Sequence, residues 1–325
     1  MAVKLKHSVV VITGASSGIG RATAVALANK GATVVVTARR KEALEDVVAR
    51  CEQAGGRAVA MPADVNDAGA LEAIAAETVG MFGRLDAWVN NAAVNLYGRF
   101  EELPLDEWRQ VVKTNLFGTA HGARAAIPWF REQGQGVLVN VASVLSKIAS
   151  PYQSAYVASK FAVRGLSDSL RQELEDAPGI QVVTVLPGAI DTPLFQHAGN
   201  YSGKQVKAPR PTIDVDRVAQ AIAGAITRPR REIVVGGSTR LGLLNDRLAP
   251  GWTERGAAKQ MAAEQFTDEP AAPTAGNVLE PVPEGTGATG GWKRRSRTRG
   301  RRLGLAAAAA AAAALGALAR SRSRG

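Results

Sequence analysis

The sequence is poor in the residues that would fasten a fold covalently or through a metal. It has one cysteine, Cys51, so no internal disulfide can form, which suits a reducing compartment. Its three histidines, His7, His121 and His197, are far apart, and no cysteine or carboxylate cluster joins them at ligand spacing. The sequence therefore predicts no catalytic metal. Aromatic residues make up only 5% against 46% apolar residues overall, so a core must be built from Ala, Val, Leu and Ile. No repeat of solenoid period is visible. No signal peptide is evident either: Lys4, Lys6 and His7 lead straight into an apolar run, with no small-residue cleavage site after it. These absences predict a body that stays in the cytoplasm.

The charge is unevenly placed. The formal net charge is +11, but residues 292–325 hold ten Lys/Arg and no acid, while the rest of the chain is nearly neutral. The high net charge is therefore no sign of a nucleic-acid-binding body, and no specific nucleic-acid partner is expected. Composition sets three expected segments: a domain over 1–250, a Gly/Pro/Ala-rich extension or linker over 251–291, and a basic, Ala-rich tail over 292–325. Within the tail, Leu303–Ala319 carries no charge. As a helix it would span about 26 Å, against about 30 Å of bilayer hydrocarbon. Three readings stay open: a helix in or on the cytoplasmic membrane face that tethers the body there, an Ala-rich helix in solution, or a disordered basic arm.

Strand signals fall at 9–13, 33–38, 58–62, 87–90, 136–142, 180–186 and 232–235. Helical stretches lie between them at 20–30, 41–54, 68–82, 105–132 and 156–175. Seven Val-rich runs alternating with amphipathic helices predict an α/β fold, a Rossmann-type doubly wound parallel sheet of about seven strands.

Between the first strand and the first helix runs Thr13-Gly14-Ala15-Ser16-Ser17-Gly18-Ile19-Gly20. Glycines there allow a tight turn and a close approach of backbone to a pyrophosphate, and the helix N-terminus offers free N–H groups. Gly14-Ala15-Ser16-Ser17-Gly18 also fits the G-x-S-x-G elbow of a serine hydrolase, with Ser16 as nucleophile. That alternative lacks a following acid and late histidine in convincing order. An NAD site places an acid at the end of the second strand. Here Ala38 stands in that place and Arg39 and Arg40 follow. A guanidinium fork suits a 2′-phosphate, so NADP(H) is favoured over NAD(H).

Tyr156 and Lys160 stand four residues apart on a predicted helix, hence on one face. A phenol near pKa 10 is a poor base at neutral pH, and a nearby ammonium favours its ionised form. This predicts Tyr156 as a general acid/base. Ser143 lies thirteen residues upstream at a strand end. With these landmarks in order, residues 4–237 resemble the short-chain dehydrogenase/reductase family. Thr13–Gly20 resembles its cofactor loop. Asp64-Val65 is similar to its adenine-holding pair, and Asn90-Asn91-Ala92-Ala93 to its N-N-A-G, with Ala93 in place of Gly. Asn115 sits where the family keeps an active-site Asn. Pro187, Gly188, Ile190 and Thr192 fall in a stretch like the one that meets the nicotinamide.

The resemblance implies hydride transfer between NADP(H) and a carbonyl/alcohol pair. Tyr156 would exchange the substrate proton, Lys160 would lower its pKa and hold the nicotinamide ribose, Ser143 would hold the substrate oxygen, and Asn115 would support a water relay. Cofactor contacts are expected from Gly14, Ser16, Ser17, Gly18, Ile19, Gly20, Arg39, Arg40, Asp64, Val65, Asn91, Ala92, Tyr156, Lys160, Pro187, Gly188, Ile190 and Thr192. A homo-oligomer is also expected. A non-catalytic dinucleotide sensor on the same fold is the other alternative. The substrate pocket is expected between 189–211, with Leu194, Phe195, His197, Tyr201, Lys204, Lys207 and Arg210, and 94–100, with Leu96, Tyr97 and Phe100. Their apolar groups suggest a moderately hydrophobic substrate.

Overall fold

The computed structural model describes residues 3–237 and 263–293. The chain divides into two units, 1–290 and 291–325, and only 291–293 of the second are described. The apolar stretch 303–319, on which the membrane reading rests, lies outside the described residues. Among the described residues, no helix is long and apolar enough to cross a membrane.

The strands run β1 (Val9–Thr13), β2 (Thr33–Thr37), β3 (Arg57–Ala60), β4 (Ala87–Asn90), β5 (Leu96–Tyr97), β6 (Gly136–Val141), β7 (Ile180–Pro187), β8 (Gly199–Asn200), β9 (Lys204–Val206), β10 (Glu232–Val235) and β11 (Phe266–Pro270). Seven of them form one parallel sheet in the order β3-β2-β1-β4-β6-β7-β10. These are the seven predicted strands. Successive residues point to opposite faces, and both faces are covered. Val10, Ile12, Val34, Val36 and Val89 go to one core, and Val11, Val35, Trp88 and Leu138 go to the other.

The helices are α1 (Gly18–Ala28), α2 (Lys41–Gln53), α3 (Ala68–Phe82), α4 (Leu105–Val112), α5 (Gly118–Gln133), α6 (Ser154–Glu173), α7 (Leu194–His197) and α8 (Val215–Thr227). α1, α2 and α8 feed the first core; α3, α5 and the C-terminal half of α6 feed the second. Gly83 and Gly134 end α3 and α5 in the left-handed region that glycine adopts at least cost. The sheet order reverses between β1 and β4, and ligands of such folds bind beyond the carboxyl ends of the strands at that switch point.

The stretch 105–132, read from the sequence as one helix, is divided. α4 and α5 are joined by a wider π turn over Lys113–Phe117. Its extra residue carries Asn115 into the interior, where its side chain holds the backbone of Val94: Val94 N donates to Oδ1 at 2.8 Å, and Nδ2 donates to Val94 O at 3.0 Å. The described part of the extension lies along the body. β11 pairs antiparallel with β9, and Asn200 and Thr274 form a bridge.

A buried polar ladder ties the centre of the sheet to α6. Trp88 Nε1 donates to Asn90 Oδ1 (2.8 Å), Asn90 Nδ2 to Asn140 Oδ1 (2.9 Å), and Asn140 Nδ2 to Ser167 Oγ (2.9 Å). Asn140 and Ser167 are fully buried. Asn140→Leu would leave Asn90 Nδ2 and Ser167 Oγ each short of a partner. Urea unfolding should show a loss of about 2–4 kcal/mol; an unchanged midpoint would contradict this account of the ladder.

Candidate active site

One cavity of about 290 Å³ opens along the carboxyl edge of the sheet. The loop after β1 forms its floor. Gly14 takes φ +64°, and a Cβ there would stand 2.6 Å from Ala92 Cα; a Cβ on Gly20 would stand 2.4 Å from Gly14 O. Side chains are excluded at both positions, so α1 begins hard against the loop. Thr13 Oγ1 accepts from the N–H groups of Asn91 and Ala92, and Asn91 Nδ2 donates to the carbonyls of Thr13 and Gly14. Asn91 therefore braces the loop from the end of β4. Ala93, where the family pattern has Gly, lines the same cavity.

Nearly every predicted site residue lines it: Gly14, Ser16 to Ile19, Arg39, Arg40, Asp64, Val65, Asn91, Ala92, Ser143, Tyr156, Lys160, Pro187, Gly188, Ile190 and Thr192. Two do not. Gly20 acts from behind, by letting the loop and helix close up. Asn115 is fully buried and meets the site through Val94 and through Ser159, to whose Oγ it donates at 3.0 Å. Of the expected substrate-pocket groups, Tyr97, Leu194, Phe195 and His197 line the cavity, but Leu96, Phe100, Tyr201, Lys204, Lys207 and Arg210 do not. Leu96 is in the core, Phe100 is exposed, and Tyr201 donates its hydroxyl to Glu107 Oε1 at 2.6 Å.

The extension supplies a wall that composition did not foretell. Gln265, Asn277, Pro281 and Val282 line the cavity. Arg39 donates to the carbonyls of Asn277 and Leu279 (2.8 and 2.7 Å), and Arg40 to those of Val282 and Glu284 (2.7 and 3.1 Å). Arg40 also reaches Ser16 Oγ at 3.3 Å, so its guanidinium faces the glycine loop. Gly287 O accepts from Gly18 N at 3.1 Å. Ser16 thus meets an arginine; no histidine hydrogen-bonds it, and the hydrolase arrangement is absent among the described residues.

At the centre, α6 presents Tyr156 and Lys160 on one face, with Lys160 Nζ 5.5 Å from the Tyr156 ring centre. Lys160 donates to Val141 O at 2.9 Å. Burial lowers the Lys160 ammonium to about 8. Burial also pushes the Tyr156 phenol up to about 12, with the hydrogen-bonded Ser143 hydroxyl pulling the other way. Burial of the phenol favours its protonated form. Ser143 Oγ also accepts from Leu145 N at 3.1 Å, which fixes its rotamer at the end of β6.

The lysine has a consequence for stability. A buried ammonium with a folded pKa near 8, against an ordinary 10.5, destabilises the fold at and below neutral pH. That penalty is relieved as pH rises from about 8 to 10.5, because only the unfolded chain stays protonated there. Lys160→Met should be more stable than the parent by about 3 kcal/mol at pH 7, with the gap closing toward pH 10.5. Denaturant melts at the two pH values check this; a gap that widens with pH would contradict it.

Comparison with known proteins agrees with this geometry. The family described as short chain dehydrogenase matches residues 8–201. An uncharacterized oxidoreductase, YxnA, of Bacillus subtilis is 37% identical over 298 residues, covering 90% of this chain and 83% of that one. An uncharacterized oxidoreductase of Staphylococcus saprophyticus is 35% identical, covering 71% of this chain and 94% of its own. Among solved structures, a short-chain dehydrogenase from Streptomyces avermitilis superposes with a TM-score of 0.66 at 33% identity, covering 79% of this chain and 98% of that one. Fold, site and relatives together place the chain in the short-chain dehydrogenase family of oxidoreductases, which use nicotinamide dinucleotides.

Proposed function

We propose that this protein reduces a carbonyl group to an alcohol with NADPH, and that Tyr156 delivers the proton. The observation that carries the reading is the meeting of Tyr156, a buried Lys160 and a fixed Ser143 in the cavity that the glycine loop floors. The cofactor supplies the hydride when bound. The chain's own residues do the rest. Ser143 Oγ and Tyr156 Oη hold the substrate oxygen, and Tyr156 gives it a proton as negative charge develops. The Lys160 ammonium stabilises the phenolate left behind. Asn115 keeps the turn that seats Val94 and, through Ser159, the start of α6.

For the cofactor, Ala38 removes the acid that would hold a 2′-hydroxyl, while Arg39 and Arg40 line the cavity. Arg40, directed at Ser16, is the better placed for a 2′-phosphate. The same positions support NADP(H) over NAD(H). A homo-oligomer is part of the reading: Leu105, Phe117 and Phe161 are exposed on α4, the π turn and α6, which adjoin one another. The domain boundary near 250, the tail's role at a membrane face and the cytoplasmic location belong to the same proposal.

NADPH oxidation against a panel of ketones and aldehydes tests the chemistry. The parent should turn over part of the panel, and Tyr156→Phe should lose at least a hundredfold in kcat. Tight NADPH binding with no turnover by the parent would favour a dinucleotide sensor instead. For the cofactor, Arg39→Ala and Arg40→Ala should each weaken NADPH relative to NADH about tenfold or more, read by fluorescence titration. Equal losses for the two cofactors would sink the assignment.

A further inference from the structure

The cavity has a second polar feature, apart from the Tyr156 centre. Tyr97 is fully buried and lines the cavity; its hydroxyl lies beside the Asn95 side chain but makes no hydrogen bond of good geometry among the described residues. Its neighbours in that wall are Asn95, Gln153 and Gln265, all buried and all lining the same space. Their amides bond mainly to one another and to Ser150. Asn95 Nδ2 donates to Gln153 Oε1 (2.8 Å), and Gln153 Nε2 donates to Gln265 Oε1 (3.1 Å) and Ser150 Oγ (3.2 Å). Gln265 Nε2 donates to Ser150 Oγ (2.8 Å), and Asn95 Oδ1 accepts from Leu96 N (2.8 Å). The network drawn from three separate stretches of chain is largely satisfied within itself and leaves the Tyr97 hydroxyl without a well-formed bond.

That hydroxyl is held firmly. The Tyr97 ring stands edge-on to Phe266 at 5.9 Å between centres, and its backbone pairs with Asn200 in the β5–β8 ribbon. A buried hydroxyl without a partner costs about 1–3 kcal/mol, so its retention points to a ligand atom that completes it. Burial first, and then the nearby Tyr156, hold its pKa far above the ordinary tyrosine value, with the Asn95 side chain pulling weakly the other way, so it stays a neutral phenol. Such a group both donates and accepts.

We propose that Tyr97 is a specificity-determining residue that hydrogen-bonds a second oxygen of the substrate, which makes the preferred substrate a carbonyl compound with a further carbonyl or hydroxyl group. This rests on the carbonyl-reductase reading above. The reacting carbonyl goes to Ser143 and Tyr156, and the second oxygen goes to Tyr97. Leu145, Leu194 and Phe195 supply the apolar walls around the carbon skeleton. A site built to pair a substrate oxygen discriminates sharply against the analogue that lacks it, because the protein's group is then left unpaired.

The test compares 2-hexanone with hexanediones whose carbonyls are adjacent, one carbon apart or two carbons apart, using NADPH and the full chain. The parent should prefer at least one dione, and Tyr97→Phe should cut the dione-to-ketone ratio of kcat/KM about tenfold or more. Equal losses on ketone and diones, or none on either, would overturn the proposal. Thermal melting of the same variant is an independent readout. A Tm equal to or above the parent's supports a hydroxyl that the fold itself leaves unserved. A fall of several degrees shows that the protein or a trapped water already pairs it, and overturns the proposal. If the parent reduces none of the ketones, the carbonyl-reductase reading has failed, and the melting comparison still decides the case for Tyr97.

Discussion

Lys160 carries a buried ammonium to the inner end of the cavity, and much of the site is arranged around that fact. A charge in such a place is tolerated only when polar atoms meet it. Here the meeting atom is Val141 O at the end of β6. The same position puts the ammonium beside the Tyr156 ring. The lysine, the tyrosine and the sheet edge therefore fix one another.

The supporting structure limits any shift of α6 along the sheet. Ser167 locks the middle of α6 to Asn140, and Asn140 locks to Asn90 on the neighbouring strand. Ser159 donates to Tyr156 O and receives Asn115. Asn115 can do this only because the π turn adds a residue between α4 and α5. A polar interior of this kind is costly if any member is missing, since each lost partner exposes another. It fits a site whose acid must stand in one place. The extension adds a further constraint at the cofactor end, where its backbone carbonyls fix the guanidiniums of Arg39 and Arg40.

What was legible in the sequence follows from these physical causes. The seven strands stood out because parallel strands buried on both faces are unbroken Val-rich runs, and the glycine loop because sterics at Gly14 and Gly20 forbid other residues. Tyr156 and Lys160 were legible by helical spacing. Their depth of burial was not, because burial at the bottom of a cavity has no local signature. The π turn was hidden inside an otherwise helical pattern. The docking of residues 263–290 was hidden for another reason: its bonds to Arg39 and Arg40 run through backbone carbonyls, which every residue has. Tyr97 read as an apolar pocket residue, and its importance lies in its hydroxyl.

The central claim is that a protonated Tyr156 and a charged Lys160 act together in reduction. The pH profile of kcat/KM for NADPH-dependent ketone reduction tests it most directly. With Lys160 near 8 and Tyr156 near 12, the account predicts a level profile at and below neutrality and a fall above pH 8, as the ammonium is lost. A profile that rises through pH 8 to an alkaline plateau would mean that a deprotonated group drives the reaction, and would contradict the account.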